Sequence, residues 1–289
     1  MQQIMLDEKW TFRRGMLDSI GMLEADPGKA VDLPHDGMIS LSVSKEAAAR
    51  VDSGYFPGDT GNYTKNIKVP VEWKEECIGL KFDGAMMHAS IDINGCKVGE
   101  HHYGYAPFYV DITDYVAFGE ENRITVNVNT GVQPSSRWYT GSGLFRGLVL
   151  CHSPRVHIQN DGVFVYTKEV TGETAFLEAQ VDLSNATLEN RLVKVTVMLM
   201  EEGSTEIKAK AERVVQINPN SQETARMVLH LKHPKVWSIE KPNLYQVRAT
   251  AENIGTFRTH FVKNEENTVD EATTLFGIRT ITADSIRGL

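Results

Sequence analysis

Cysteine is scarce in this chain of 289 residues: Cys77, Cys96 and Cys151 are an odd number with no CxxC spacing. They offer neither a complete disulfide framework nor a metal-ligand set, and they read as small buried hydrophobes. Positive charge is also short. Lys and Arg total 30 against 38 Asp and Glu, a formal net charge of -8. No basic field exists to hold a phosphate backbone, so nucleic acid is set aside as a partner. No run approaches the ~18 apolar residues of a membrane span, and the N-terminal MQQIMLDEKWTFRRG lacks the apolar core of a signal peptide. No membrane partner is expected, and the expected compartment is the cytoplasm. Helical periodicity is the last scarcity. The one tempting helix is KEAAAR (45–50), after a candidate N-cap at Ser44.

Alternation of period two fills the rest. Ile91 and Ile93 alternate with polar residues before Asn94-Gly95, a pair suited to a type I′ hairpin because both positions need positive φ. Ile124, Val126 and Val128 mark another strand, followed by LEAQVDL (177–183), VKVTVMLM (193–200), RMVLHL (226–231) and YQVRAT (245–250). Strands at this spacing, with turn residues between, indicate an all-β chain of sandwiches. One boundary falls at HSPRVHI, where Pro154 cannot donate to a ladder. A second falls at the polar, acidic run VKNEENTVDEATT (262–274).

One loop breaks the regularity. PSSRWYTGSGLFRGLVL (134–150) gathers Arg137, Trp138, Tyr139, Phe145 and Arg146 around three glycines. An aromatic ring covers the apolar face of a sugar and a guanidinium fixes its hydroxyls, so the loop suits a carbohydrate. The plainer alternative places the aromatics in the core and pairs Arg146 with a carboxylate. The adjacent pairs Glu75-Glu76, Glu120-Glu121, Glu201-Glu202 and Glu265-Glu266 point to opposite faces of a strand and are read as solvated charges, not catalytic groups. His101-His102 lacks further ligands at suitable spacing, so no metal is expected. Asp111 and Asp114 read as turn caps, and the sequons at Asn62 and Asn185 as chance matches.

The loop segment SRWYTGSGLFRGLVL resembles the SRWYxGxGIYR segment of glycoside hydrolase family 2, which includes β-galactosidases, β-glucuronidases and β-mannosidases. VDLPHDGM (31–38) is similar to that family's LPHDW, with Gly37 where Trp is usual. GYFPGDTGNYTKNIKVP (54–70) resembles GxxPGxxGWYRKxFxxP, with Asn62 and Thr64 replacing Trp and Arg. The block at 82–113 resembles FEGVYxxxxVxxNGxxVGxHxxGYxPFxxDIT, and LFGIRTI (275–281) the family's FGxR.

The resemblance implies a jelly-roll sugar-binding domain at 1–153 and an immunoglobulin-like β-sandwich at 154–262. Residues 263–289 are then a linker and the start of a catalytic (β/α)8 barrel. In the family both catalytic carboxylates lie on that barrel, so none is assigned here and no cofactor is implied. The implied enzyme is a retaining β-galactosidase, and this chain by itself is expected to be inactive. Carried over residue by residue, the substrate-binding candidates are Arg137, Trp138 and Tyr139, with Asp59 at the rim. The implied partners are a carbohydrate substrate and the chain's own downstream barrel. Either a concentration-dependent homo-oligomer or an exposed apolar patch around Leu275, Phe276 and Ile278 is expected. A stand-alone carbohydrate-binding module and a purely structural pair of sandwiches are the rival functions.

Overall fold

Side chains of a strand alternate between its two faces, and that alternation builds both halves of the molecule. The computed structural model describes residues 1–15, 27–58, 60–131, 138–256, 269–283, 285–286 and 288. It divides into two compact units, Gln2–His152 and Ser153–Leu289, with Met1 grouped with the latter.

The Gln2–His152 unit is a jelly roll. Its strands among the described residues are β1 (Gln2–Met5), β2 (Trp10–Arg14), β3 (Lys29–Val31), β4 (Thr60–Lys68), β5 (Glu76–Phe82), β6 (Ala89–Ile93), β7 (Cys96–His101), β8 (Phe108–Asp111), β9 (Glu121–Asn129) and β10 (Leu148–Pro154). They form sheets of order β1-β10-β5-β8 and β3-β2-β4-β9-β6-β7. One apolar cluster draws on both sheets, with Ile78, Leu80 and Phe82 from β5 beside Ile91, Ile93, Ile124, Val126 and Val128 from β6 and β9. The expected hairpin is present: Ile93 pairs with Cys96, and Asn94 (φ 54°) and Gly95 (φ 85°) both take positive φ.

The Ser153–Leu289 unit is an immunoglobulin-like sandwich. It contains β11 (Val156–Thr171), β12 (Thr174–Asn185), β13 (Arg191–Glu201), β14 (Ile207–Ile217), β15 (Ser221–Lys232), β16 (Tyr245–Gly255) and β17 (Val269–Phe276). The sheets run β11-β12-β15 and β14-β13-β16-β17, and their inward residues, Leu177, Val181, Val195, Val197 and Val247 among them, share one core.

Three expectations are corrected. Residues 45–50 are turns rather than a helix, and only Arg50–Ser53 coil, as a 3-10 turn. Ser44 Oγ instead accepts from the Glu46 amide at 3.1 Å, a local bond that competes with helix. The acidic run after residue 262 is not simply a linker. Its first part lies outside the described residues, but Val269–Phe276 pairs antiparallel with β16 as an edge strand. Ile278 is fully buried in the sandwich core and Phe276 packs against it half-buried, so only Leu275, 56% exposed, remains of the expected apolar patch. Ile278 is held there because its carbonyl accepts from the Trp237 amide at 2.8 Å.

The two sequons are interior. Asn62 bonds the Gly15 carbonyl and accepts from Asn127 at 2.7 Å. Asn185 donates to the carbonyls of Glu189, Ile217 and Asn218.

Candidate functional site

The loop after β9 is shaped by two glycines with positive φ, Gly141 (+74°) and Gly143 (+122°). A β-carbon on Gly143 would stand 2.1 Å from Tyr63 Oη and 3.0 Å from the His35 carbonyl, so the position admits no side chain. The backbone of Gly143 exchanges hydrogen bonds with Met86 at 2.7 and 2.9 Å. The same loop receives the segment around Pro34: His35 N donates to Leu144 O at 2.8 Å and Gly37 N to Ser142 O at 2.7 Å. Three loops of the jelly roll are thereby laced together.

Asp36 is the centre of this lacing. Its Oδ2 accepts the Tyr139 hydroxyl at 2.5 Å. Its Oδ1 accepts the amides of Ser142 at 3.0 Å and Met38 at 2.9 Å. Burial, then the bond to Asp36, pushes the Tyr139 phenol well above its usual range, so Tyr139 stays a proton donor. Its ring also packs on Phe56, centroids 4.9 Å apart. Beneath lie Phe12, His35 and Tyr63, with Phe12 4.7 Å from His35 and 4.9 Å from Tyr63. His35 Nδ1 sits 2.8 Å from Tyr63 Oη. Burial lowers the His35 pKa, opposed by Asp36 and aided by Lys29 and Arg14, so the neutral ring is favoured.

Trp138 is the outward ring of the loop, 64% exposed. One edge lies 3.5 Å from where a β-carbon would stand on Gly54, an ordinary van der Waals distance that sets the indole against this turn. Tyr139, the second sequence candidate, is turned to Asp36 and holds the loop. Arg137 and Asp59 lie outside the described residues. Arg146 bonds carbonyls rather than a carboxylate: its Nη1 donates to Asp83 O at 3.2 Å and Tyr105 O at 3.3 Å, and the guanidinium lies 5.2 Å from the Phe145 centroid.

Sequence reasoning missed Asp36. The available signal was an Asp two residues ahead of an amide it can cap, and HDGM contains one. Asp111 behaves as expected, its Oδ1 accepting from Thr113 N at 2.9 Å. Among the described residues no three His, Cys, Asp or Glu side chains gather as metal ligands. With its three donors Asp36 is a structural acceptor, and the loop can present an aromatic face and polar groups to a ligand.

Comparison with known proteins bears on what that ligand is. Residues 49–154 match the family model described as glycosyl hydrolases family 2, sugar binding domain, and residues 156–279 the model described as glycosyl hydrolases family 2. A β-galactosidase of Bacteroides ovatus is 31% identical over 285 residues, covering 96% of this chain and 32% of the relative. A β-glucuronidase of Bacteroides fragilis is 29% identical, covering 85% of this chain and 35% of the relative. A crystal structure of a glycosyl hydrolase family 2 member from Bacteroides cellulosilyticus superimposes with a TM-score of 0.85 at 30% identity, covering all of this chain and 36% of that one. The chain thus spans about a third of the length of these relatives.

Proposed function

The chain belongs to glycosyl hydrolases family 2, and from that premise we propose that it supplies the non-catalytic front of a retaining β-galactosidase. The observation that carries this reading is the order of the two family matches, sugar binding domain first, over residues 49–154 and 156–279. Retaining hydrolysis needs an acid/base and a nucleophile about 5 Å apart. In the proposal both come from a (β/α)8 barrel encoded beyond Leu289. The jelly roll then completes the sugar pocket. Trp138 covers the apolar face of the sugar, Arg137 donates to its hydroxyls, and Tyr139 keeps the loop in place through Asp36. In the proposal Asp59 is a further, rim candidate for contact with the sugar. The choice of a galactoside is supported by the 31% identity with a β-galactosidase over 96% of this chain.

The test is hydrolysis of nitrophenyl β-galactoside, β-glucuronide and β-mannoside by residues 1–289 and by the protein extended through the barrel. Cleavage of the galactoside by the extended protein alone is the expected result. Activity in residues 1–289 would overturn the division of labour, and preference for the glucuronide would overturn the choice of sugar.

A further inference from the structure

We propose that the outer face of the β11-β12-β15 sheet is a binding site for a neutral oligosaccharide, built without any residue of the Trp138 loop. At one end of that face an open groove of about 550 Å³ is lined by Gln159, Asp182, Gln222, Glu223, Thr224 and Arg226. Its volume is that of an ordinary ligand site, and its lining is polar throughout.

A β-bulge makes the groove. The β11-β12 register jumps between Ile158 and Val163. Gly162 is the buried residue that permits it, since a β-carbon there would meet the carbonyls of Gln159 at 2.8 Å and Asp182 at 2.9 Å. Bulges of this kind re-aim a side chain. Here Gln159 leaves the ladder, and its Nε2 donates to Leu183 O at 3.2 Å.

The alternation places an aromatic beside the polar groups. Val165, Val181, Leu183, Ala225 and Met227 are buried in the core, so Phe164, Gln180, Asp182, Thr224 and Arg226 face outward. Phe164 pairs with Gln180, and Gln180 with Arg226. Asp182 is therefore the diagonal neighbour of Phe164, about 7–8 Å away. Phe164 is 58% exposed, and Tyr166 continues the row at a centroid distance of 5.9 Å. A single exposed apolar residue needs no explanation. An exposed ring diagonal to a fixed carboxylate, with a guanidinium two strands away in the same row, is a different arrangement.

The chemistry selects the ligand. Asp182 Oδ1 accepts the Thr224 hydroxyl at 2.6 Å, which orients the carboxylate and leaves Oδ2 to accept from a sugar hydroxyl. Arg226 Nη1 stands 3.7 Å from Glu178 Oε1, beyond hydrogen-bond length, so its fork keeps donors for a ligand. Two outward carboxylates, Asp182 and Glu178, against the one guanidinium of Arg226 disfavour uronates and sulfated glycans. A neutral chain stacks on Phe164 and extends toward Tyr166.

The test is affinity electrophoresis of the intact protein in gels carrying galactomannan, xyloglucan or mixed-linkage β-glucan, with polygalacturonate as the anionic comparison. Retardation by at least one neutral polysaccharide is expected. Phe164→Ala should weaken it about tenfold and Asp182→Ala about fivefold, while Trp138→Ala leaves it in place. Thermal melting of Phe164→Ala should match wild type, because the ring is exposed. Free migration of wild type in every neutral gel would overturn the proposal, as would retardation that survives Phe164→Ala, disappears in Trp138→Ala or is strongest with polygalacturonate. The nitrophenyl glycosides that test the proposed activity are single-sugar substrates, so the two readings fail separately.

Discussion

Asp36 shows how one carboxylate fixes a loop that packing alone would leave loose. It accepts from Tyr139, Ser142 and Met38, and removing it strands three donors in partly buried positions. Asp36→Ala should therefore cost about 2–3 kcal/mol, read as a lower urea midpoint, and should red-shift Trp138 emission. Trp138 carries the opposite expectation. Being exposed, it can be removed at little cost to stability, yet in the barrel-containing enzyme Trp138→Ala should raise KM about 3- to 10-fold through lost stacking. His35 adds a pH dependence. Burial lowers its pKa below the ordinary 6.5. As pH falls, the unfolded chain takes up the proton first. The stability contribution is therefore complete above pH 6.5 and is lost as pH falls toward the folded pKa. Urea midpoints measured between about pH 7.5 and 5.5 should fall more for wild type than for His35→Gln. An equal fall in both would refute the assignment.

At the scale of elements, β17 is the instructive strand. Its sequence, VDEATTLF, is polar and acidic because an edge strand of the sandwich is wetted on most of its length, Asp270 alone being buried. Composition therefore marked it as linker, while pairing with β16 makes it sheet. The buried exception, Asp270, accepts the Ile158 amide at 2.9 Å. Just beyond the strand, Ile278 closes the core. Ile278→Ala should cost about 3 kcal/mol, whereas Leu275→Ala, at a site 56% exposed, should stay within about 0.5 kcal/mol. Denaturant titration of the two variants distinguishes this anchoring segment from a free linker. KEAAAR errs the other way. Its alanines favour helix, but the Ser44 side chain bonds an amide two residues on, and Ala47 and Ala49 are buried in turns.

The whole molecule carries two separate hydrophobic clusters, one in each compact unit. Two cores imply two cooperative transitions. Calorimetry should resolve them, with Asp36→Ala lowering only the jelly-roll transition and Ile278→Ala only the other. A single transition shifted by both variants would contradict this. The sequence by itself determined the sheets, because alternation is a local property: Ile124, Val126 and Val128 must share a face wherever the strand lies. It also carried the family likeness, through motifs such as LPHDG and SRWYTGSG. Tertiary structure decided what the pattern could not encode. Asp36 and Tyr139 are 103 residues apart in sequence, and nothing local to either announces the other. The polar groove on β11, β12 and β15 needs a bulge at Gly162 and three strands in register. A side chain's exposure, partner and use depend on chain segments that only folding brings together.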